Sequence, residues 1–275
     1  MQEQSICFIG GGNMAQAIIS GLLKNHYPAQ LIQVCTPHPE KLAKFSAQQI
    51  NLVESSIPNN QQAVEKAEVI ILAVKPQIIP LVCEQLSQLD FNQKLVISVA
   101  AGISTARLSQ LLPSARYIVR TMPNTPALVS AGMTGLFSAD TLPLEYRNFA
   151  QELMRSLGTI CWINEESQMH AITAGSGSSP AYFFLFMEAM QQALMEMKLD
   201  ADTARLLVQQ SALGAAKMVI ENPDISLATL RENVTSKGGT TAAALAVFEQ
   251  QQFQSTVQQA MQACVARSQE MEKLF

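Results

Sequence analysis

The stretch Ile6–Ala17, ICFIGGGNMAQA, decides the fold of this chain. Ile6 to Ile9 are four consecutive apolar residues, the pattern of a short strand buried on both faces. Three glycines follow, and from Asn13 onward Met14, Ala17, Ile18, Gly21 and Leu22 recur at the spacing of one helix face. Gly10, Gly12 and Ala15 therefore fit the strand–turn–helix fingerprint G-x-G-x-x-G/A of dinucleotide-binding sheets. In that reading Gly10 permits the tight turn, Gly12 lets the backbone approach a pyrophosphate, and Ala15 keeps helix and strand close. The free N–H groups and positive dipole end of the helix then hold the phosphates. A glycine turn with no ligand is the alternative; the strand before it and the helix after it favour the nucleotide.

The rest of the composition narrows the class. A chain of 275 residues is long enough for two domains. Hydrophobic residues make up 48% and charged residues 15%, so the chain is globular, and the low charge points to surface buried between subunits. A net charge of −4 gives no reason to expect nucleic acid or an anionic membrane as partner. No basic-plus-apolar leader precedes the first strand and no apolar run approaches a membrane span, which predicts a cytoplasmic protein. Five cysteines without CxxC spacing read as free, buried thiols in a reducing compartment. His26, His38 and His170 are far apart and lack partners at ligand spacing, so no metal site is expected.

Strand and helix patterns alternate through the first half. Leu31 to Cys35 reads as a second strand, ending at Thr36, Pro37 and His38. An NAD-specific site places a carboxylate there for the ribose hydroxyls. Its absence, with donors on Thr36, His38 and Lys41, favours NADPH; no arginine sits at this turn, and NADH stays open. Pro39 to Phe45 begins a helix, and a helical stretch around Asn60 to Ala67 leads into the apolar strand Val69 to Val74. Lys75 then lies at a strand's carboxyl end, where open α/β sheets bind ligands, although a lysine there is commonly just solvated. Leu95–Val99 and Tyr117–Arg120 are further strands, with a helix between them capped by Ser104. The proline-stiffened loop MPNTPA, Met122 to Ala127, offers Asn124 and Thr125 as donors. Strand-like TGLFSA, a helix from about Leu144 to Leu157 and strand TICWI finish a doubly wound Rossmann sheet with right-handed crossovers.

From residue 164 no strand pattern remains, which predicts an α/β domain over 1–163 and an all-helical domain over 164–275. The run AYFFLFMEAMQQALMEM after Pro180 is apolar on most of its circumference, as in a core or subunit interface. Its methionines read as packing, and another helix spans Thr203 to Ile220. So apolar a helical appendage predicts an intimate homodimer. Two loops stand out, GSGSSPAY (Gly175–Tyr182) and VTSKGGTT (Val234–Thr241). The second opens directly into a helical run, which suits either an anion such as a substrate carboxylate or a plain capped turn.

The set FIGGGNMA, AVKPQ, SVAAGI, RTMPNTPA, GSGSSPAYFF and VTSKGGTTAAAL, in order over essentially the full length, resembles the Δ1-pyrroline-5-carboxylate reductase family. The resemblance implies a Rossmann domain followed by an all-helical dimerisation domain. It also implies homodimers that assemble further, commonly as a decamer of five dimers, with an active site between one subunit's nucleotide domain and its partner's helices. By position, Gly10, Gly11, Gly12, Asn13 and Met14 would bind pyrophosphate, Thr36 the adenosine ribose or its 2′-phosphate, and Asn60 the adenosine. Ala73, Val74, Lys75 and Pro76 would border the cofactor's nicotinamide side, with Ala100, Gly102 and Asn124 beside nicotinamide and substrate. Ser236, Gly239, Thr240 and Thr241 would bind the substrate carboxylate, with the Thr241 hydroxyl near the ring nitrogen. Lys237 and Ser179 depart from the residues common in the family, proline and glycine, without removing an assigned group.

The implied reaction is hydride transfer from NADPH to the imine carbon of 1-pyrroline-5-carboxylate, giving L-proline, the last step of proline biosynthesis. An imine protonates readily, so its reduction needs no strong enzyme acid, which suits a chain without an obvious His–Asp pair; Thr241 would orient the nitrogen first and donate a proton second. A β-hydroxyacid dehydrogenase is the enzymatic rival, but the helix after Pro180 has no lysine before Lys198. A silent NADPH-binding protein is the non-enzymatic one.

Overall fold

The computed structural model describes residues 2–139 and 142–274. The chain opens with β1 (Ile6–Ile9), α1 (Asn13–Lys24), β2 (Ile32–Thr36), the single turn α2 (Ala43–Ser46), β3 (Asn51–Glu54), α3 (Ile57–Lys66) and β4 (Val69–Leu72). It continues with α4 (Ile79–Leu86), β5 (Leu95–Ser98), α5 (Thr105–Leu111), β6 (Tyr117–Met122), β7 (Gly132–Phe137), α6 (Leu144–Arg155), β8 (Gly158–Trp162) and α7 (Met169–Ile172). The remainder is helical: α8 (Ser179–Glu196), α9 (Ala201–Glu221), α10 (Leu227–Asn233), α11 (Thr240–Gln250) and α12 (Phe253–Leu274).

The strands form one eight-stranded sheet in the order β3-β2-β1-β4-β5-β6-β7-β8. The order reverses beside β1, which is the switch point where doubly wound sheets bind nucleotides. Alternation across the pleat divides the core into two layers. Ile6, Phe8, Val69, Ile71, Leu95 and Ile97 pack with residues of α1 and α6 on one face. Cys7, Ile9, Ile70, Leu72 and Val96 pack with α3, α4 and α5 on the other. Burying both faces is what makes the central strands read as unbroken apolar runs.

The observed elements amend the sequence reading in several places. β3 is a strand the pattern does not announce: NLVE has two apolar residues, is only half-buried and pairs at the sheet edge with β2. The predicted helix from Pro39 is a 3₁₀ turn, Pro39–Leu42, followed by the one turn of α2. The Val69 run ends as strand at Leu72, leaving Ala73 and Val74 to form the sheet's rim. β7 runs antiparallel to β6, and β8 is parallel to β7, so the last two strands oppose the others. The link from Met122 to Gly132 is too short for a crossover, which takes a dozen or more residues, and it turns back through Ser130 in the left-handed conformation (φ 59°).

GSGSSPAY is a helical junction rather than a loop. Thr173–Gly177 form a π-helical turn, closed by Ser178 N donating to Thr173 O at 2.8 Å, and α8 begins at Ser179. Asn124 Nδ2 donates to the Ser176 carbonyl of this turn at 3.1 Å.

The chain divides into two compact units, one of Met1–Ser178 with Cys264–Phe275 and the other of Ser179–Ala263. In this division the last turns of α12 group with the sheet. The second unit has almost no interior. Pro180, Ala204 and Val208 are its buried apolar residues among those described, while Phe183, Phe184, Leu185, Leu206, Leu213 and Ile220 are exposed. Phe186, Phe248 and Phe253 cluster at centroid distances of 5.4–6.2 Å. No helix among the described residues is long and apolar enough to cross a membrane.

Candidate active site

The glycine turn is stitched between two strand ends: Gly10 N donates to Cys35 O at 2.8 Å, and Ala73 N to Ile9 O at 2.9 Å. Gly10 has φ +107°, a region that side chains disfavour. A Cβ there would lie 2.5 Å from Ala73 O, and one on Gly11 would lie 2.6 Å from Leu42 Cδ1. Gly12 differs. It caps α1 with φ −70°, and a Cβ built on it meets nothing within 4 Å. No side chain caps this helix and its first turn holds no carboxylate, so the N–H groups of Gly12, Asn13 and Met14 face an open, uncompensated end. A pyrophosphate suits that donor set. Ala15 is fully buried against the sheet.

At the end of β2, Thr36 is buried and its Oγ1 accepts from His38 N at 3.3 Å. Ser55 joins it to Asn60, because Ser55 N donates to Thr36 O at 3.0 Å and the Ser55 hydroxyl to Asn60 Oδ1 at 3.0 Å. Two carboxylates missed in the sequence stand nearby. β3 brings Glu54 into register beside Thr36, and Glu40 pairs with His38 at 3.3 Å on the surface. Lys75 is exposed at the rim, opening the 3₁₀ turn Pro76–Ile78. Ala100 is buried and Gly102 turns with φ +73° after β5.

Asn124 is occupied by the fold. Its Nδ2 donates to Ser176 O, and its Oδ1 accepts from Met133 N at 2.9 Å. The amide nitrogen ties the β6–β7 link to the π-helical turn, and the amide oxygen ties it to the start of β7.

A charged cluster that no motif announces lies behind these loops. Arg120 on β6 is almost fully buried, and its Nη1 reaches Glu166 Oε1 at 2.8 Å and Glu272 Oε1 at 2.6 Å. Glu166 also accepts from Thr105 N at 2.8 Å and Thr105 Oγ1 at 2.7 Å. His170 joins Glu272 through Nε2 at 3.2 Å and Ser268 through Nδ1 at 2.9 Å. The partners are separated by up to 152 residues, so spacing carries no trace of them.

All five cysteines are free; Cys7, Cys35 and Cys83 are buried, Cys161 and Cys264 partly so. The Cys7 thiol donates its hydrogen to Cys35, which together with burial pushes it far above its usual range, and burial raises Cys83 to about 12. Neither is a ready thiolate nucleophile. Among the described residues no group of three His, Cys, Asp or Glu is arranged to hold a metal ion.

In the second unit, Ser236 to Gly239 form a turn that becomes α11. Gly239 caps the helix, its N donating to Ser236 O at 3.0 Å, after Gly238 at φ +72°. The Gly239 position is closed from behind: a Cβ would lie 2.4 Å from Ser236 Oγ. No side chain caps α11, no acid stands in its first turn, and Thr240 and Thr241 are exposed there. This is a second helix end suited to an anion.

Comparison with known proteins fits both halves. The family model described as pyrroline-5-carboxylate reductase dimerisation matches residues 166–271, and the model described as NADP oxidoreductase, coenzyme F420-dependent, matches residues 5–102. A pyrroline-5-carboxylate reductase of Pasteurella multocida is 66% identical over the whole of both chains. Among solved structures, a pyrroline-5-carboxylate reductase from Coxiella burnetii is 41% identical with TM-score 0.90, covering 98% of this chain and 99% of that one. The Plasmodium falciparum pyrroline carboxylate reductase, solved with NADP bound, is 28% identical with TM-score 0.87 over 99% of each chain. With a Rossmann sheet, two bare helix ends and end-to-end identity of this order, the chain belongs to the pyrroline-5-carboxylate reductase family of NAD(P)H-dependent oxidoreductases.

Proposed function

We propose that this chain reduces 1-pyrroline-5-carboxylate to L-proline with NADPH as the favoured donor and NADH as the lesser one. The observation that carries the reading is the Gly10–Gly12 cradle, closed by backbone on one side and open at a helix end without a carboxylate on the other. NADPH bound there supplies the hydride that reduces the imine carbon. The chain's own work is placement. Asn13 and Met14 present further backbone donors, Thr36 and Asn60 hold the adenosine end, and Ala73–Pro76 with Ala100–Gly102 border the nicotinamide side. Ser236, Gly239 and Thr240 hold the substrate carboxylate, a role that the uncapped N-terminus of α11 supports. Thr241 orients the ring nitrogen and passes a proton to it. Asn124 serves by fixing the β6–β7 link.

The functional division we propose is a nucleotide region over 1–163 and a dimerisation and substrate region over 164–275. The exposed apolar faces of α8, α9 and α11 support a homodimer through these helices. We further propose five dimers as the higher assembly and the cytoplasm as its location. The direct test is absorbance loss of NADPH and of NADH with pyrroline-5-carboxylate as acceptor. Imine-dependent oxidation with the higher kcat/KM for NADPH is expected. Reduction of a keto acid instead of the imine would overturn the activity, and a higher kcat/KM for NADH would overturn the cofactor preference.

A further inference from the structure

We infer that Glu272, near the end of α12, is a positioning residue for the loop Ala100–Gly102; this rests on the proposed placement of that loop beside the nicotinamide. A Cβ on Gly102 would lie 3.3 Å from Met271 Cβ and 3.6 Å from Glu272 N, so the last turns of α12 lie against the loop. Glu272 is held there by Arg120 and His170. Arg120 in turn governs both ends of the loop. It stands in register with Ser98, the residue from which the loop departs. Through Glu166 it holds Thr105, the first residue of α5, three positions beyond Gly102. The loop itself has no regular structure and little backbone anchorage, such as Ala100 N donating to Ser98 Oγ at 3.3 Å. Arg120 thus meets the loop's start through its backbone and its end through its guanidinium and Glu166, and Glu272 fixes what covers it. Removing the Glu272 charge leaves Arg120 paired with Glu166, so the cover loosens while the sheet keeps its buried ion pair.

The test is Glu272→Gln, with Glu272→Asp as a variant that keeps the charge and shortens its reach. Loosening the loop weakens cofactor binding ahead of imine binding. For Glu272→Gln we expect KM for NADPH, and Kd from nicotinamide fluorescence titration, to rise about fivefold or more, with KM for the imine within about twofold. Glu272→Asp shows a smaller rise of the same kind. A fall in kcat with both KM values and the NADPH Kd unchanged would overturn the inference, as would no change in either variant. Gly102→Ala separates the two layers of the argument. If it weakens NADPH binding while both Glu272 variants bind normally, the positioning role fails and the loop assignment stands. If Gly102→Ala leaves NADPH binding unchanged, the loop assignment fails and takes this inference with it.

Discussion

Alanine at Gly10 and alanine at Gly12 should do opposite things, although the two glycines are two residues apart in one motif. At Gly10 the backbone has φ +107°, and the new methyl would sit 2.5 Å from Ala73 O, 2.8 Å from Ala73 C and 2.9 Å from Val74 Cγ1. Two of those atoms are backbone of the rim following β4, which cannot swing aside as a side chain would. Backbone strain of about 1–2 kcal/mol and overpacking of about 1–3 kcal/mol give a loss on the order of 3 kcal/mol. In a chain of this size that lowers the thermal midpoint by about 6–12 °C. At Gly12 the backbone is ordinary and the methyl meets nothing within 4 Å, so only the weaker capping by alanine is lost, about 1 kcal/mol or less. The same methyl stands where a pyrophosphate must approach the α1 N-terminus, and NADPH Kd should rise about tenfold or more, equivalent to about 1.4 kcal/mol. Calorimetric melting of the unliganded proteins and fluorescence titration with NADPH measure the two effects separately. A Gly12→Ala protein that binds NADPH like wild type would refute the cradle. A Gly10→Ala protein that melts like wild type would refute the close packing against β4.

Three further outcomes are expected. Thr241→Ala should lower kcat by about tenfold or more with NADPH Kd within about twofold, and an unchanged kcat would remove Thr241 from the chemistry. Burial raises the Tyr27 hydroxyl from 10 to about 12, outweighing the favourable backbone bond to Gln4. A raised folded value means the stability is complete below pH 10 and is lost as pH climbs through 12; Tyr27→Phe should flatten that loss in urea titrations at pH 9 to 12, and an equally steep loss would assign it elsewhere. Leu185→Glu, on the exposed face of α8, should dissociate the oligomer in sedimentation or light scattering at concentrations where wild type stays assembled. A variant with unchanged mass would place the interface on another face.

The first strand, its glycine turn and the long helices were legible because burial on both faces and helical periodicity write themselves into a few adjacent residues. β3 was not, since an edge strand with two half-buried residues has no such pattern, and Glu54 was missed with it. The reversed direction of β7 was available in principle from the short link after Met122, but the repeated strand–helix rhythm pointed the other way. The π-helical turn defeated a reading in which glycine and serine mean loop: Ala174 and Ser176 are buried, and Asn124 supplies the partner that makes the wide turn stable. The glycines that look alike in sequence differ in the fold, with Gly10 and Gly11 closed in and Gly12 open. Arg120, Glu166, His170 and Glu272 could not be found by spacing: Arg120 and Glu166 meet from positions 46 residues apart, and the return of α12 to the sheet adds Glu272.

The nearly coreless helical unit has a consequence for how this enzyme tolerates change. In a monomer with its own core, a surface substitution is felt once. In the proposed two-fold homodimer, every residue on the shared face of α8 or α9 occurs on both sides of the same interface. A single codon change is therefore applied in duplicate. A modest defect of about 1 kcal/mol per site becomes about 2 kcal/mol per dimer, roughly a thirtyfold change in the dissociation constant. The same arithmetic favours improvement, since one better contact is also gained twice. Sequence drift in this half should accordingly be steeper in its effects than in the Rossmann half, even where the side chains involved look like surface.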